Sequence, residues 1–143
     1  MALESEISTL QETPNFRGTD AGSMRLLACL SDRVRLSTGE TLCHGGDPSD
    51  AVYIVLNGDV EFVREGGDGL QRFGVDGPGA VIGEVGVLCD AERSLTVRAV
   101  SDLELLRLDR DSFFRLMHDK PDFSLAVARN LAMRLRTEAA RGF

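Results

Sequence analysis

VYIVLNGDVEFV, residues 52–63, is the stretch on which the fold assignment turns. Two short runs rich in β-branched and aromatic residues, 52–56 and 60–63, flank Asn57-Gly58. Asn-Gly accepts positive φ at both central positions of a turn, so the spacing predicts a two-residue hairpin. Strands of the same kind lie on either side, at 34–36, 41–43 and 103–108, and Gly66-Gly67-Asp68-Gly69 predicts a second hairpin. Strands this short, separated by Gly and Asp at regular intervals between Arg33 and Asp109, indicate a barrel or a sandwich.

Outside this region the period changes. Residues 5–31 carry Ile7 and Leu10, then Met24, Leu26, Leu27, Cys29 and Leu30 after Ser23 as N-cap, with Pro14 and Gly18 dividing the stretch into two short helices. After Asp109, Phe113, Leu116 and Met117 share a helical face, and Pro121 is placed to open a last helix running to about Ala140. On that helix Leu125, Ala128, Leu131, Ala132 and Leu135 form one apolar stripe, while Arg129, Arg134, Arg136 and Arg141 mostly face elsewhere. The stripe is a candidate seam for a homodimer.

A chain of 143 residues with 43% hydrophobic content suits one domain with a real core. A net charge of −7 offers no basic face of the size that several duplex phosphates require, which disfavours nucleic acid as a direct partner. The start MALESEISTL has neither a basic nor an apolar leader segment, and no apolar run approaches the length of a membrane span, so a cytoplasmic protein without membrane contact is expected. Cys29, Cys43 and Cys89 lack CxxC spacing and fit reduced thiols. His44 and His118 are the only histidines, without HxH or HExxH spacing, so no metal or cofactor is expected. Cys43-His44 cannot be a dyad, because adjacent strand residues point to opposite faces. Ser94 has no nearby histidine, and catalysis is therefore not expected.

The chemistry concentrates in GPGAVIGEVGVLCDAERSLTV, residues 77–97. Gly83 permits close backbone approach, and 84–88 suffices for a single helical turn whose free amides and positive dipole end favour an anion. Nine residues on, Arg93 can return a guanidinium to that point, with the Ser94 hydroxyl beside it. Glu84 would repel a phosphate but is a natural acceptor for a ribose 2′-OH. An anion site beside a hydroxyl acceptor points to a nucleotide.

Ile82-Gly83-Glu84 through Arg93-Ser94 resembles the phosphate-binding cassette of the cyclic nucleotide-binding domain family, which includes the catabolite activator protein and the regulatory subunit of cAMP-dependent protein kinase. LQETPNF, TGETLCHGGDPSDAVYIVLNGDVEFV and the closing helices extend the resemblance, with Gly39, Gly46, Asp47 and Gly58 matching at sensible spacing. It implies a mainly β fold with α: one domain over 1–143, with N-terminal helices to about 32, an eight-stranded β jelly-roll barrel over 33–109 holding the cassette at 82–96, and a C-terminal helical lid over 110–142. It also implies that Glu84 accepts from the ribose 2′-OH, Arg93 pairs with the cyclic phosphate, Ser94 lies near phosphate and base, and the Val85 and Gly86 amides reach phosphate or ribose. Phe73 to Val75 would line the base, and Arg134 occupies a position that can face it. Leu95 stands where the family usually places alanine, and the last helix carries Glu138 and Ala139 where paired hydroxyls would be expected. The implied ligand is cAMP or cGMP, with cAMP favoured by the bacterial style of the sequence, and the implied readout is an effector protein in trans. Two other readings stay open: a degenerate member serving protein interaction with an empty pocket, favoured by Leu95, and a hydrolase of small phosphates.

Overall fold

A computed structural model describes residues 2–140. Helix α1 (Ala2–Glu12), a short turn at Pro14–Phe16 and α2 (Ala21–Leu30) precede β1 (Asp32–Leu36), β2 (Thr41–Cys43), β3 (Ala51–Asn57), β4 (Val60–Gly66), β5 (Gly69–Asp76) and β6 (Val81–Ile82). Helix α3 (Glu84–Cys89), β7 (Thr96–Ala99), β8 (Leu103–Asp109), α4 (Arg110–Asp119) and α5 (Pro121–Ala140) complete the order. The expected helices and most of the expected strands are present. Arg141 and the far end of the expected lid lie outside the described residues. Helix α2 begins one turn earlier than the Ser23 cap implies: Asp20 is the N-cap and accepts from the Ser23 amide at 2.7 Å, a better acceptor than a hydroxyl at that point.

The strands form two four-stranded antiparallel sheets, β1-β8-β3-β6 and β2-β7-β4-β5, rather than one continuously hydrogen-bonded barrel. This arrangement overturns the first hairpin. β3 pairs with β6 and β8, β4 pairs with β5 and β7, and Asn57-Gly58 carries the chain from one sheet to the other. Only Gly58 has positive φ, at 89°, whereas the expected turn needs two such residues. A Cβ at Gly58 would run into the Asp102 carbonyl, so the glycine is required by close approach of the 102–103 backbone. The second hairpin forms as expected, with Gly66 opposite Gly69.

Burial explains the unbroken apolar run in β3. Ala51, Tyr53 and Val55 join Val60, Val97, Ala99, Leu103 and Leu105 in the core between the sheets. Val52, Ile54 and Leu56, on the other face, join Leu106 and Leu108 in a second core with Ile7, Leu10, Met24, Leu27, Phe113, Leu116 and Phe123 from the helices. A strand buried on both faces shows no alternation. β5 is the opposite case, an edge strand with every residue exposed.

Helix α5 packs through a different face from the one its leucines suggest. Phe123, Ala126 and Val127 are buried, whereas Leu125 is 50% and Leu135 is 68% exposed. Of the expected stripe, only Leu131 packs against the core. The inward face is continued by polar residues: Asn130 Nδ2 donates to the Asn15 carbonyl at 2.9 Å, and Arg134 reaches Glu84. These bonds satisfy groups that an apolar count assigns to solvent.

Candidate functional site

Gly83 opens the site. Its φ of 89° ends β6 and starts α3, and a Cβ there would run into Arg93 Nη1. The first intrahelical bond of α3 runs from the Val87 amide to the Gly83 carbonyl, which leaves the preceding amides of the turn without an intrahelical acceptor.

Arg93 is placed by its own backbone. Its amide donates to the Asp47 carbonyl at 2.8 Å, and its carbonyl accepts from the Gly46 amide at 2.7 Å. The side chain is buried rather than displayed at a surface: Nη2 donates to the Ala51 carbonyl at 2.6 Å, and the guanidinium lies 5.8 Å from the Tyr53 ring centre. Asp50 Oδ1 is 3.8 Å away, a weaker partner. Nε and Nη1 are buried without any hydrogen-bond acceptor.

Glu84 is 3% exposed, so it is no solvated helix-start carboxylate. Its Oε1 accepts from Arg134 Nη1 at 2.5 Å, and its Oε2 is buried without a donor. Arg134 Nη2 also approaches the Val81 carbonyl at 3.4 Å. Helix α5 is thus tied to the site directly, and again through Asn130 to Asn15, whose Nδ2 donates to the Gly79 carbonyl at 2.9 Å.

These groups face one cavity of about 570 Å³, within the size range of small-ligand sites. Nine expected site residues line it: Ile82, Gly83, Glu84, Val85, Gly86, Arg93, Ser94, Leu95 and Arg134. Phe73 and Val75 do not. Both are exposed on the edge strand β5, and Arg64 covers the Phe73 ring at 5.0 Å. A register shift where Phe62 pairs with Gly74 and Val63 with Arg72 leaves Phe73 unpaired; Phe62 and Asp76 line the cavity in place of the expected pair. Cys43, Ser49 and Glu138 line it too. Burial pushes the Cys43 thiol up, so it presents a neutral group there. Nothing in the local sequence marks Ser49, because it enters the cavity from the loop before β3. Among the described residues no cluster of three metal-ligating side chains occurs, and no helix is long and apolar enough to cross a membrane.

Two antiparallel sheets thus carry a glycine-opened turn, a buried arginine and a buried glutamate around one cavity, the frame of a small-ligand site. Residues 33–120 match the cyclic nucleotide-binding domain, and the chain belongs to that family. A solved structure of the Thermus thermophilus catabolite activator protein superposes with a TM-score of 0.82 at 31% identity, covering 90% of this chain and 61% of that one. The regulatory domain of Toxoplasma gondii PKA, solved with cAMP, superposes with a TM-score of 0.71 at 25% identity, covering 80% of this chain and 44% of the other. Among curated relatives, lysophospholipase nte1 of Aspergillus oryzae is 38% identical over 104 residues, which is 72% of this chain but 7% of that protein's length.

Proposed function

We propose that this domain is a cyclic nucleotide sensor that binds cAMP or cGMP, performs no catalysis and signals through α5. The observation that carries the reading is a set of complementary buried atoms without partners: Arg93 Nε and Nη1 as donors, and Glu84 Oε2 as acceptor, all in residues that line one cavity. Buried polar groups are ordinarily paired, and these are missing an anion on one side and a hydroxyl donor on the other. A cyclic phosphate with a free ribose 2′-OH supplies both. The sheet orders β1-β8-β3-β6 and β2-β7-β4-β5 support a jelly-roll frame, over which α5 acts as the lid through Arg134. The solvent-facing stripe Leu125, Ala128, Ala132 and Leu135 on α5 has 3-4-3 spacing and supports a homodimer seam. The readout passes to an effector protein in trans, in the cytoplasm.

Thermal denaturation with cAMP, cGMP and linear 5′-AMP tests the reading. A cyclic nucleotide at about 100 times its dissociation constant adds about 2.7 kcal/mol, a rise of roughly 5 to 10 °C for a domain of this size. No rise with either cyclic nucleotide refutes the sensor and favours an interaction module with an empty pocket, the reading to which the cavity-lining Leu95 lends support.

A further inference from the structure

Ser49 is a polar side chain of the cavity to which the cassette assigns no role. It is 7% exposed, and its hydroxyl has no hydrogen-bond partner. A buried hydroxyl in that condition carries an uncompensated desolvation cost. The side chain lines the same cavity as Glu84 and Arg93. It is held against the first turn of α3, because a Cβ at Gly86 would run into Ser49 Oγ.

The loop that carries Ser49 is also the loop that places Arg93. The Arg93 amide and carbonyl are bonded to Asp47 and Gly46, and its Nη2 to the Ala51 carbonyl. Ser49 lies between these anchors in sequence, so its hydroxyl and the Arg93 guanidinium are held in one bonded frame before any ligand arrives. Such preorganisation lowers the cost of binding. A serine hydroxyl rotates to donate to whatever acceptor is offered, and a phosphate oxygen beside an arginine is the strongest acceptor chemistry this cavity is built to receive.

We propose that Ser49 is a ligand-binding residue that donates its Oγ–H to an exocyclic phosphate oxygen of the bound cyclic nucleotide, together with Arg93. The inference rests on the nucleotide-sensor reading. It adds a phosphate contact from outside the cassette, supplied by the chain segment that enters β3.

Calorimetric titration of wild type and Ser49→Ala with cAMP, cGMP and the two phosphorothioate diastereomers of cAMP tests it, with unliganded melting measured beside each titration. Ser49→Ala is expected to weaken binding of the accepted nucleotide about tenfold or more. The unliganded variant is expected to melt about 2 to 4 °C higher, since an unpaired buried hydroxyl has been removed. Wild type should prefer one diastereomer, and the variant should lose much of that preference, an effect that a purely structural serine does not produce. Wild-type binding with unchanged affinity and diastereomer preference in Ser49→Ala overturns the inference while leaving the sensor reading intact, as does a variant that loses unliganded stability and affinity together. Wild type that binds neither nucleotide fails the sensor reading itself and takes this inference with it.

Discussion

Removing Arg134 tests whether α5 is held over the cavity through one buried carboxylate. The Arg134–Glu84 pair joins a side chain 48% exposed to one 4% exposed, and the second Glu84 oxygen is already unpartnered. Arg134→Met therefore leaves a buried carboxylate with neither oxygen bonded. Orphaning a fully buried charge costs about 3 to 5 kcal/mol, and losing a hydrogen bond to a charged group costs about 1.5 to 3 kcal/mol. The lower range applies, because the half-exposed arginine leaves a path by which water reaches the vacated Oε1. For a domain of this length that range lowers the melting midpoint by roughly 3 to 12 °C. Hydrogen exchange should localise the change to residues 131–140, since Asn130 still bonds the Asn15 carbonyl and Phe123, Ala126 and Val127 remain buried. Glu84→Gln removes the charge whose burial is at stake, so adding it to Arg134→Met should restore part of the loss, with a coupling of about 1 to 2 kcal/mol in the four-variant denaturation cycle. Additivity within about 0.5 kcal/mol, or unchanged exchange in 131–140, would refute the idea that Glu84 holds the helix.

Gly83→Ala should cost at least about 1 kcal/mol from its left-handed backbone alone and displace the Arg93 guanidinium that lies where the new Cβ must go; a variant titrating cAMP and cGMP with wild-type affinity would contradict this. Arg93→Leu should weaken cyclic nucleotide binding roughly ten- to a hundredfold, because it removes the charged donors Nε and Nη1 that lack a partner in the cavity; unchanged cAMP and cGMP titrations in a folded variant would contradict this. Burial pushes the Asp122 carboxyl up, but the Asp20 amide at 3.0 Å and the Ser23 hydroxyl at 2.8 Å outweigh it and hold it below its ordinary value of 3.8. The unfolded chain then takes up the proton first, so this clasp between α2 and α5 is at full strength above about pH 3.8 and is lost as pH falls through the lower folded value. Asp122→Asn should flatten the acid-side fall in stability, and identical slopes below that pH in the two proteins would remove the carboxyl from the account.

What the sequence determined by itself is the part written in local chemistry. Glycine at 83, a carboxylate at 84 and a guanidinium nine residues later are legible because residue type and spacing are read directly from the chain, and the strand and helix periods around the cassette are likewise short-range properties. Tertiary structure decided which strand pairs with which. Asn57-Gly58 has the composition of a hairpin, yet β3 is buried on both faces and its neighbours β6 and β8 come from distant sequence, so the turn became a corner between sheets. A register shift after Phe62 leaves Phe73 unpaired on the exposed edge strand, while Val75 stands in regular register opposite Glu61, and neither lines the cavity. The inward face of α5 combines buried Phe123, Ala126 and Val127 with the polar bonds from Asn130 and Arg134, while Leu125 and Leu135 face solvent. Ser49 reaches the site because Arg93 anchors its loop by backbone bonds. Each of these outcomes depends on partners far away in the chain, and local sequence carries no record of the energy that those partners supply.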